Sequence, residues 1–386
     1  MKAIYLDANA TTPVAPEVLE AMLPYFAERS GNPSAAHAAG QRARSAVERA
    51  REQVARLLQA TAKEIVFTSG GTESDNLALR GVLDPFLERN EPAHLVTTQI
   101  EHHAVLYAAE ALEKRGVAVT YVAPKADGSV LAEDVAAAMR PETKLVSIML
   151  ANNETGVVQP VGKIARLAKE RGVLVHTDAV QAAGKLSLDM SGEFKNVDLL
   201  SISGHKLYAP QGTGALFVRK GVQLAAVQHG GPQERQRRAG TENVPGIVAL
   251  GKAAELAAVW LAGEGAAQLA ALRDRLEQGI VATLSDVQIN GVDARRVANT
   301  TNLRFGLMDA ESLLIALDMQ GIAASFGSAC MSGATEPSHV LLAMGMEPKQ
   351  ARASLRFSLT RDAVDADVDE AVQRIVAVAR RMSALG

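Results

Sequence analysis

Two stretches decide the fold: Val173-Leu174-Val175-His176-Thr177-Asp178 and Leu199-Leu200-Ser201-Ile202-Ser203-Gly204-His205-Lys206. Each is a short apolar, β-branched run that ends in a charged side chain. A strand buried on both faces reads as such a run, and in open parallel sheets ligands bind beyond the strands' carboxyl ends. Similar runs stand at Ile65–Thr68, Leu95–Thr98, Val117–Val122, Leu145–Met149 and Ala215–Val218. Amphipathic segments at Glu73–Arg89, Ala104–Arg115 and Val161–Arg171 separate them. Strand–helix alternation predicts an α/β chain with a mostly parallel sheet covered by helices. An alanine-rich stretch, Ala253–Ala271, reads as helix interrupted at Gly263 and Gly265. Beyond it, strands are expected at Val287–Asn290, Asn299–Arg304 and Ser354–Leu359, with helices at Ala310–Gln320 and Ala366–Met382. That predicts a large domain over residues 15–260. A smaller α+β domain is expected from residues 261–386, joined by an N-terminal arm, residues 1–14.

Composition narrows the functions. The 386-residue chain is 48% hydrophobic and 22% charged, ordinary for a soluble enzyme. Net charge is −3 and aromatics make up 4%, so neither an electrostatic footprint nor stacking platforms for nucleic acid are expected. Apolar stretches such as Leu313–Leu317 fall far short of a membrane span, and Met1–Leu6 lacks a signal-peptide pattern. The one cysteine, Cys330, excludes a disulfide framework within the chain. A cytoplasmic location is the natural expectation.

Five segments carry candidate chemistry. Lys206, at the end of its strand, is either a solvated lysine or a partly desolvated amine able to condense with an aldehyde. Asp178 is either a helix cap or an ionised partner for a pyridinium nitrogen, with Gln181 in reach of a ring hydroxyl. Ser203 and His205 can donate to a phosphate. Thr68-Ser69-Gly70-Gly71-Thr72-Glu73-Ser74 joins a strand to a helix; it is a plain glycine turn or a phosphate cradle built on Gly71 and Thr72. In Gln99-Ile100-Glu101-His102-His103 one histidine can stack on a flat ring, and adjacent histidines converge poorly on a metal. Cys330 stands in Ser325-Phe326-Gly327-Ser328-Ala329-Cys330-Met331-Ser332-Gly333-Ala334. Such small, glycine-bearing surroundings favour a reactive thiol over a structural one.

The order of motifs resembles the cysteine desulfurases of the class V aminotransferase group, in the branch serving nitrogenase and general iron–sulfur assembly. The likeness runs from Tyr5–Thr12 and Gly31–Ser34 through Thr68–Asn76, Glu101–Val105, Asn152–Gly156, Asp178–Gln181 and Ser203–Lys206. It ends with Gly240-Thr241, Gly327–Cys330, Glu336–Ser338 and Leu355–Ser358. The resemblance implies a pyridoxal 5'-phosphate enzyme of fold type I, a homodimer that converts L-cysteine to L-alanine and hands persulfide sulfur to an acceptor or iron–sulfur scaffold protein. It implies Lys206 as the lysine that binds the cofactor, Asp178 at the ring nitrogen, Gln181 at the ring oxygen and His102 stacked on the ring. Gly71, Thr72, Ser203 and His205 hold the phosphate, with Thr241 reaching from the other subunit. Asn153 and Arg356 hold the substrate carboxylate. Cys330 attacks the substrate sulfur and is the one candidate for a transient iron–sulfur ligand; no intrinsic metal is implied. A selenocysteine lyase or another class V transaminase or lyase would keep Lys206 and Asp178, but a transaminase has no use for Cys330. Phe326 and Pro232 depart from the family's usual serine and glycine, and the chain lacks the longer tail of housekeeping members. Phe326 and Pro232 remove no catalytic group; the shorter tail is what points toward the nitrogen-fixation type.

Overall fold

The computed structural model describes residues 2–326 and 336–384. After a short strand β1 (Ile4–Tyr5) come helices α1 (Pro16–Met22) and α2 (Ala38–Leu57). The main unit then alternates: β2 (Ile65–Thr68), α3 (Gly71–Glu88), β3 (His94–Thr98), α4 (His103–Glu113), β4 (Ala118–Val122), α5 (Ala132–Ala138), β5 (Thr143–Ser147), α6 (Val161–Lys169), β6 (Leu174–Asp178), β7 (Leu199–Ser203) and β8 (Gly214–Val218). The sheet order is β2-β8-β7-β6-β5-β3-β4, and only β8 runs antiparallel to its neighbours. This is the mostly parallel α/β sheet that the apolar runs predict. Every residue of β2, β3, β7 and β8 is buried, because helices cover both faces.

One face packs on α2, α6 and a long helix, Val244–Ala262, through Val47, Val54, Ile164 and Leu250. The other packs on α3 and α4 through Leu79, Leu83, Val105 and Leu112. Where the long helix crosses α2, a Cβ on Gly251 would meet the Ala50 Cα at 2.6 Å, so only glycine permits that approach. Val244–Ala262 is long and apolar enough to cross a membrane by length and composition, a test that buried core helices also pass. Half of its most apolar window is buried inside the protein. The alanine-rich run does break at Gly263, and a second helix, Gly265–Val281, follows.

The remaining chain builds a three-stranded antiparallel sheet of β9 (Val287–Ile289), β10 (Thr300–Phe305) and β12 (Ser354–Ser358), in the order β12-β10-β9. The short strand β11 (Ile322–Ala323) pairs with β1, and Ile4 and Leu6 enter the apolar core beneath this sheet. Helices Gly265–Val281, Ala310–Asp318 and Asp365–Ser383 complete that core.

A buried ion pair ties the segment before the long helix to the main sheet. Arg51 donates to both carboxylate oxygens of Glu234, at 2.6 and 2.8 Å, and to the Ile65 carbonyl at 2.9 Å. Glu234 also accepts from the Phe67 N–H. Glu234, Arg235 and Gln236 all hold positive φ (44°, 57° and 65°), a left-handed run that costs about 1–3 kcal/mol per non-glycine residue. The bidentate pair is what holds it. Removing one partner strands a buried charge, so Glu234→Gln and Arg51→Met should each cost about 3–5 kcal/mol in urea denaturation. The double variant should cost less than the sum of the two.

Candidate active site

Six of the seven strands share one direction, and the loops leaving their carboxyl ends converge on a cavity of about 240 Å³. Gly71 and Thr72 follow β2, His102 follows β3, and Met149, Ala151 and Asn153 follow β5. Asp178 ends β6, with Val180 and Gln181 after it, and Ser203, His205 and Lys206 leave β7. Arg356 of β12 and Asn9 of the arm close the opposite wall. Because β6 and β7 are neighbours, with Asp178 opposite Ser201, the acid and the lysine enter the cavity side by side.

The α3 N-terminus opens into this cavity with no side-chain cap on its first turn. A Cβ on Gly71 would stand 2.8 Å from the Val180 methyl, so glycine is needed to let the two loops meet. Free N–H groups at a helix start, beside Thr72, Ser203 and His205, suit a phosphate. Glu73 is turned away: it accepts from Ser69 N–H at 2.7 Å and pairs with Arg238. His102 caps α4, its Nδ1 accepting from Ala104 N–H at 3.1 Å, which leaves Nε2 as the protonated nitrogen. Burial, then the charges of His103, Lys206 and His339, push His102 down to about 4, so a neutral ring lines the cavity. Its loop is fastened by Glu101, which accepts from Thr98 Oγ1 at 2.6 Å and from Met149 N–H. The Asn152 amide donates to the Ile100 carbonyl at 3.0 Å.

The floor is acidic and buried. Burial pushes Asp178 up to about 6, against the opposing pull of the Val180 N–H and the Lys206 charge. Behind it, burial and the Asp178 charge hold Asp75 well above the ordinary carboxylate range. His176, kept neutral by burial, bridges Ser147 (2.8 Å) and Ser201 (3.0 Å) under this pair. Lys206 Nζ donates to the carbonyls of Asn9 and Ala10. Arg356 donates to the Asn153 carbonyl at 2.9 Å and to Asp7 Oδ1 at 2.7 Å. Among the described residues the buried Asn153 side-chain oxygen has no hydrogen-bond partner, as expected of an atom that takes one from a ligand. A planar, phosphorylated pyridine aldehyde fits this donor set: acid, lysine, neutral ring and an open helix start.

The cavity thus gathers Gly71, Thr72, His102, Asn153, Asp178, Gln181, Ser203, His205, Lys206 and Arg356. Thr241 is exposed and does not line it. Cys330 lies outside the described residues. Asp75, Asn9 and Lys185 went without roles in the sequence reading. The first two stand inside the motifs of the sequence, and the one local signal for Lys185 is its place four residues after Gln181.

The aminotransferase class V family matches residues 4–370. A cysteine desulfurase of Trichormus azollae is 48% identical over 385 residues, covering 100% of this chain and 95% of that one. The cysteine desulfurase IscS of Methanosarcina thermophila is 48% identical, covering 100% and 94%. Among solved structures, a NifS-like protein superposes with a TM-score of 0.91 at 36% identity, covering 98% and 100%. A structure described as SspA in complex with cysteine does so with 0.82 at 39%, covering 94% and 100%.

Glu101 gives this site a pH signature. Burial lifts it from 4.5 to about 8, so the folded state holds its proton more tightly than the unfolded chain. Its contribution is full below 4.5 and lost as pH rises through 8. Glu101→Gln should therefore flatten the fall in stability across that window, measured by urea denaturation at a series of pH values. A slope equal to the parent's would assign the pH dependence elsewhere.

Proposed function

The chain belongs to the class V aminotransferase family as a pyridoxal-phosphate-dependent cysteine desulfurase, and we propose that Cys330 carries the sulfur it removes to an acceptor for iron–sulfur cluster assembly. One observation carries the placement of the chemistry. Asp178 ends β6 and Lys206 follows the adjacent parallel strand β7, and both face one cavity with Asn153 beside them and Arg356 on the opposite wall.

The residues divide the work as follows. Thr72, Ser203, His205 and the α3 N-terminus would hold the phosphate, and in a homodimer Thr241 of the other subunit would complete that grip. Asp178 would hold negative charge at the ring nitrogen, Gln181 would donate to the ring oxygen, and the neutral His102 ring would pack against the heterocycle. When bound, pyridoxal phosphate supplies a sink for the electron pair released at the substrate's Cα. Arg356 binds the substrate carboxylate in a charge-assisted pair, and Asn153 fixes its orientation. Lys206 takes the proton from Cα and returns one to the product. The Cys330 thiolate attacks the substrate sulfur: a sulfur–sulfur bond forms, the carbon–sulfur bond breaks, and protonation of the freed carbon gives L-alanine. L-cysteine and the Cys330 thiol thus become L-alanine and a Cys330 persulfide, with nothing left over. A cytoplasmic setting suits a thiol that must stay reduced between turnovers, and the nitrogen-fixation branch remains our reading of the acceptor pathway.

Intact mass after incubation with L-cysteine, without reductant, tests the carrier. The parent should gain one sulfur, about 32 Da, and Cys330→Ala should not, while still binding the cofactor. Parent-level sulfide release by Cys330→Ala would remove Cys330 from the reaction. Lys206→Ala should lose the visible absorbance of lysine-bound cofactor. Light scattering of active protein should give twice 40.7 kDa.

A further inference from the structure

Lys185 brings a second amine to the site. It sits just past the left-handed Gly184 and beside the cofactor cavity, on the wall of a small second cavity that Lys206 also lines. Its stem is partly exposed, but its amine is enclosed and, among the described residues, donates to neutral oxygens: Gln181 Oε1 at 2.7 Å and Asn9 Oδ1 at 3.0 Å. Lys206 and Arg356 approach from β7 and β12, Asp178 lies at the end of β6, and Arg361 and Tyr208 face Lys185 across the second cavity. Burial, then the Lys206 and Arg356 charges, push the amine well below the usual lysine range. Bound phosphate and ring oxygen would add the negative charge these cations lack, favouring its protonated form.

A lysine donates and an amide oxygen accepts, so each contact fixes which way an amide points. With Oε1 held by Lys185, the Gln181 Nε2 is the atom left to donate; it now reaches the Asn9 carbonyl at 3.0 Å. With Asn9 Oδ1 held, Asn9 Nδ2 must face Asn153 and Thr300, as it does at 3.2 and 2.9 Å. We propose that Lys185 is a positioning residue for the cofactor: it locks the Gln181 amide with Nε2 toward the ring oxygen and adds positive charge behind it.

The inference rests on the reading that this cavity holds pyridoxal phosphate with its oxygen at Gln181. A donor at that oxygen, and a cation behind it, both disfavour the protonated form of the Lys206–cofactor linkage. Removing them should raise the pH at which that linkage loses its proton. The visible absorbance of purified holoprotein is titrated with pH in the parent, Lys185→Met and Lys185→Arg. The midpoint should rise by about one unit in Lys185→Met and return toward the parent in Lys185→Arg. An unchanged midpoint in a cofactor-loaded Lys185→Met overturns the proposal. A parent with no visible band defeats the cofactor reading instead. If Lys185→Met does not fold, Lys185→Gln replaces it; failure of both assigns Lys185 a structural role and overturns the proposal too.

Discussion

The site depends on one buried amide. Asn9 lies on the N-terminal arm, far in sequence from everything it touches. Its backbone N–H donates to Ser358 Oγ at 2.9 Å, and its carbonyl accepts from Gln181 and Lys206. Its side-chain oxygen accepts from Lys185 and from Asn299 at 3.1 Å, while its nitrogen donates to Asn153 and Thr300. A buried polar group left unpaired costs about 1–3 kcal/mol, and here no group of Asn9 is left so. The arm, the carboxyl ends of the parallel sheet and the antiparallel sheet therefore meet in one register. Arg356 can face Lys206 across the cavity because Asn9 spans the gap between the units that carry them.

Charge is arranged around that joint with the same economy. Lys206, Lys185 and Arg356 bring positive charge toward the cavity, and Asp7 pairs with Arg356 from the outside. Beneath them, Asp178 and Asp75 form an acidic pair too buried to ionise fully, with neutral His176 below. A cationic ring nitrogen placed against Asp178 would settle its charge, and anionic phosphate and carboxylate groups would settle the cations. Without such a ligand the site is a set of opposed charges held apart by the fold, a preorganised field rather than a relaxed one.

Much of this was legible in the sequence because the sheet is parallel. Buried parallel strands read as continuous apolar runs, and the residue that ends each run stands at the functional edge. That geometry placed Asp178, Lys206, Thr72 and His102 before any coordinates. Strand limits shifted by a residue or two, as at Thr143–Ser147, because pairing with a neighbour and not hydrophobicity sets the ends. What stayed hidden depends on partners distant in the chain. Nothing local in Arg51 announces Glu234, 183 residues away. Lys185 reads as an ordinary surface lysine until Asn9 and Gln181 are seen around it. The long helix Val244–Ala262 looks membrane-like by composition, since only packing against α2 distinguishes a core helix from a span.

The same long-range contacts bear on the proposed role of Cys330. The chain on either side of the cysteine segment is fastened to the elements that form the cavity. On one side, Ser325 exchanges backbone hydrogen bonds with Arg356, at 2.7 and 3.2 Å, so the strand that presents the carboxylate-binding guanidinium also holds this root. On the other, Ser338 donates to buried Glu154, next to Asn153, and His339 Nε2 meets the Glu101 carbonyl at 3.0 Å, on the loop that positions His102. Both roots are therefore tied to groups assigned to the substrate and the cofactor ring. Delivery of a nucleophile to a bound thiol needs its tether short and its ends fixed, since effective concentration falls as the linking chain lengthens. Twelve residues, 326 to 337, separate the anchors Ser325 and Ser338, one held by Arg356 and the other next to Asn153. On the proposed reading of Cys330, the described residues that flank its segment are held by Arg356 on one side and by the neighbours of Asn153 and His102 on the other.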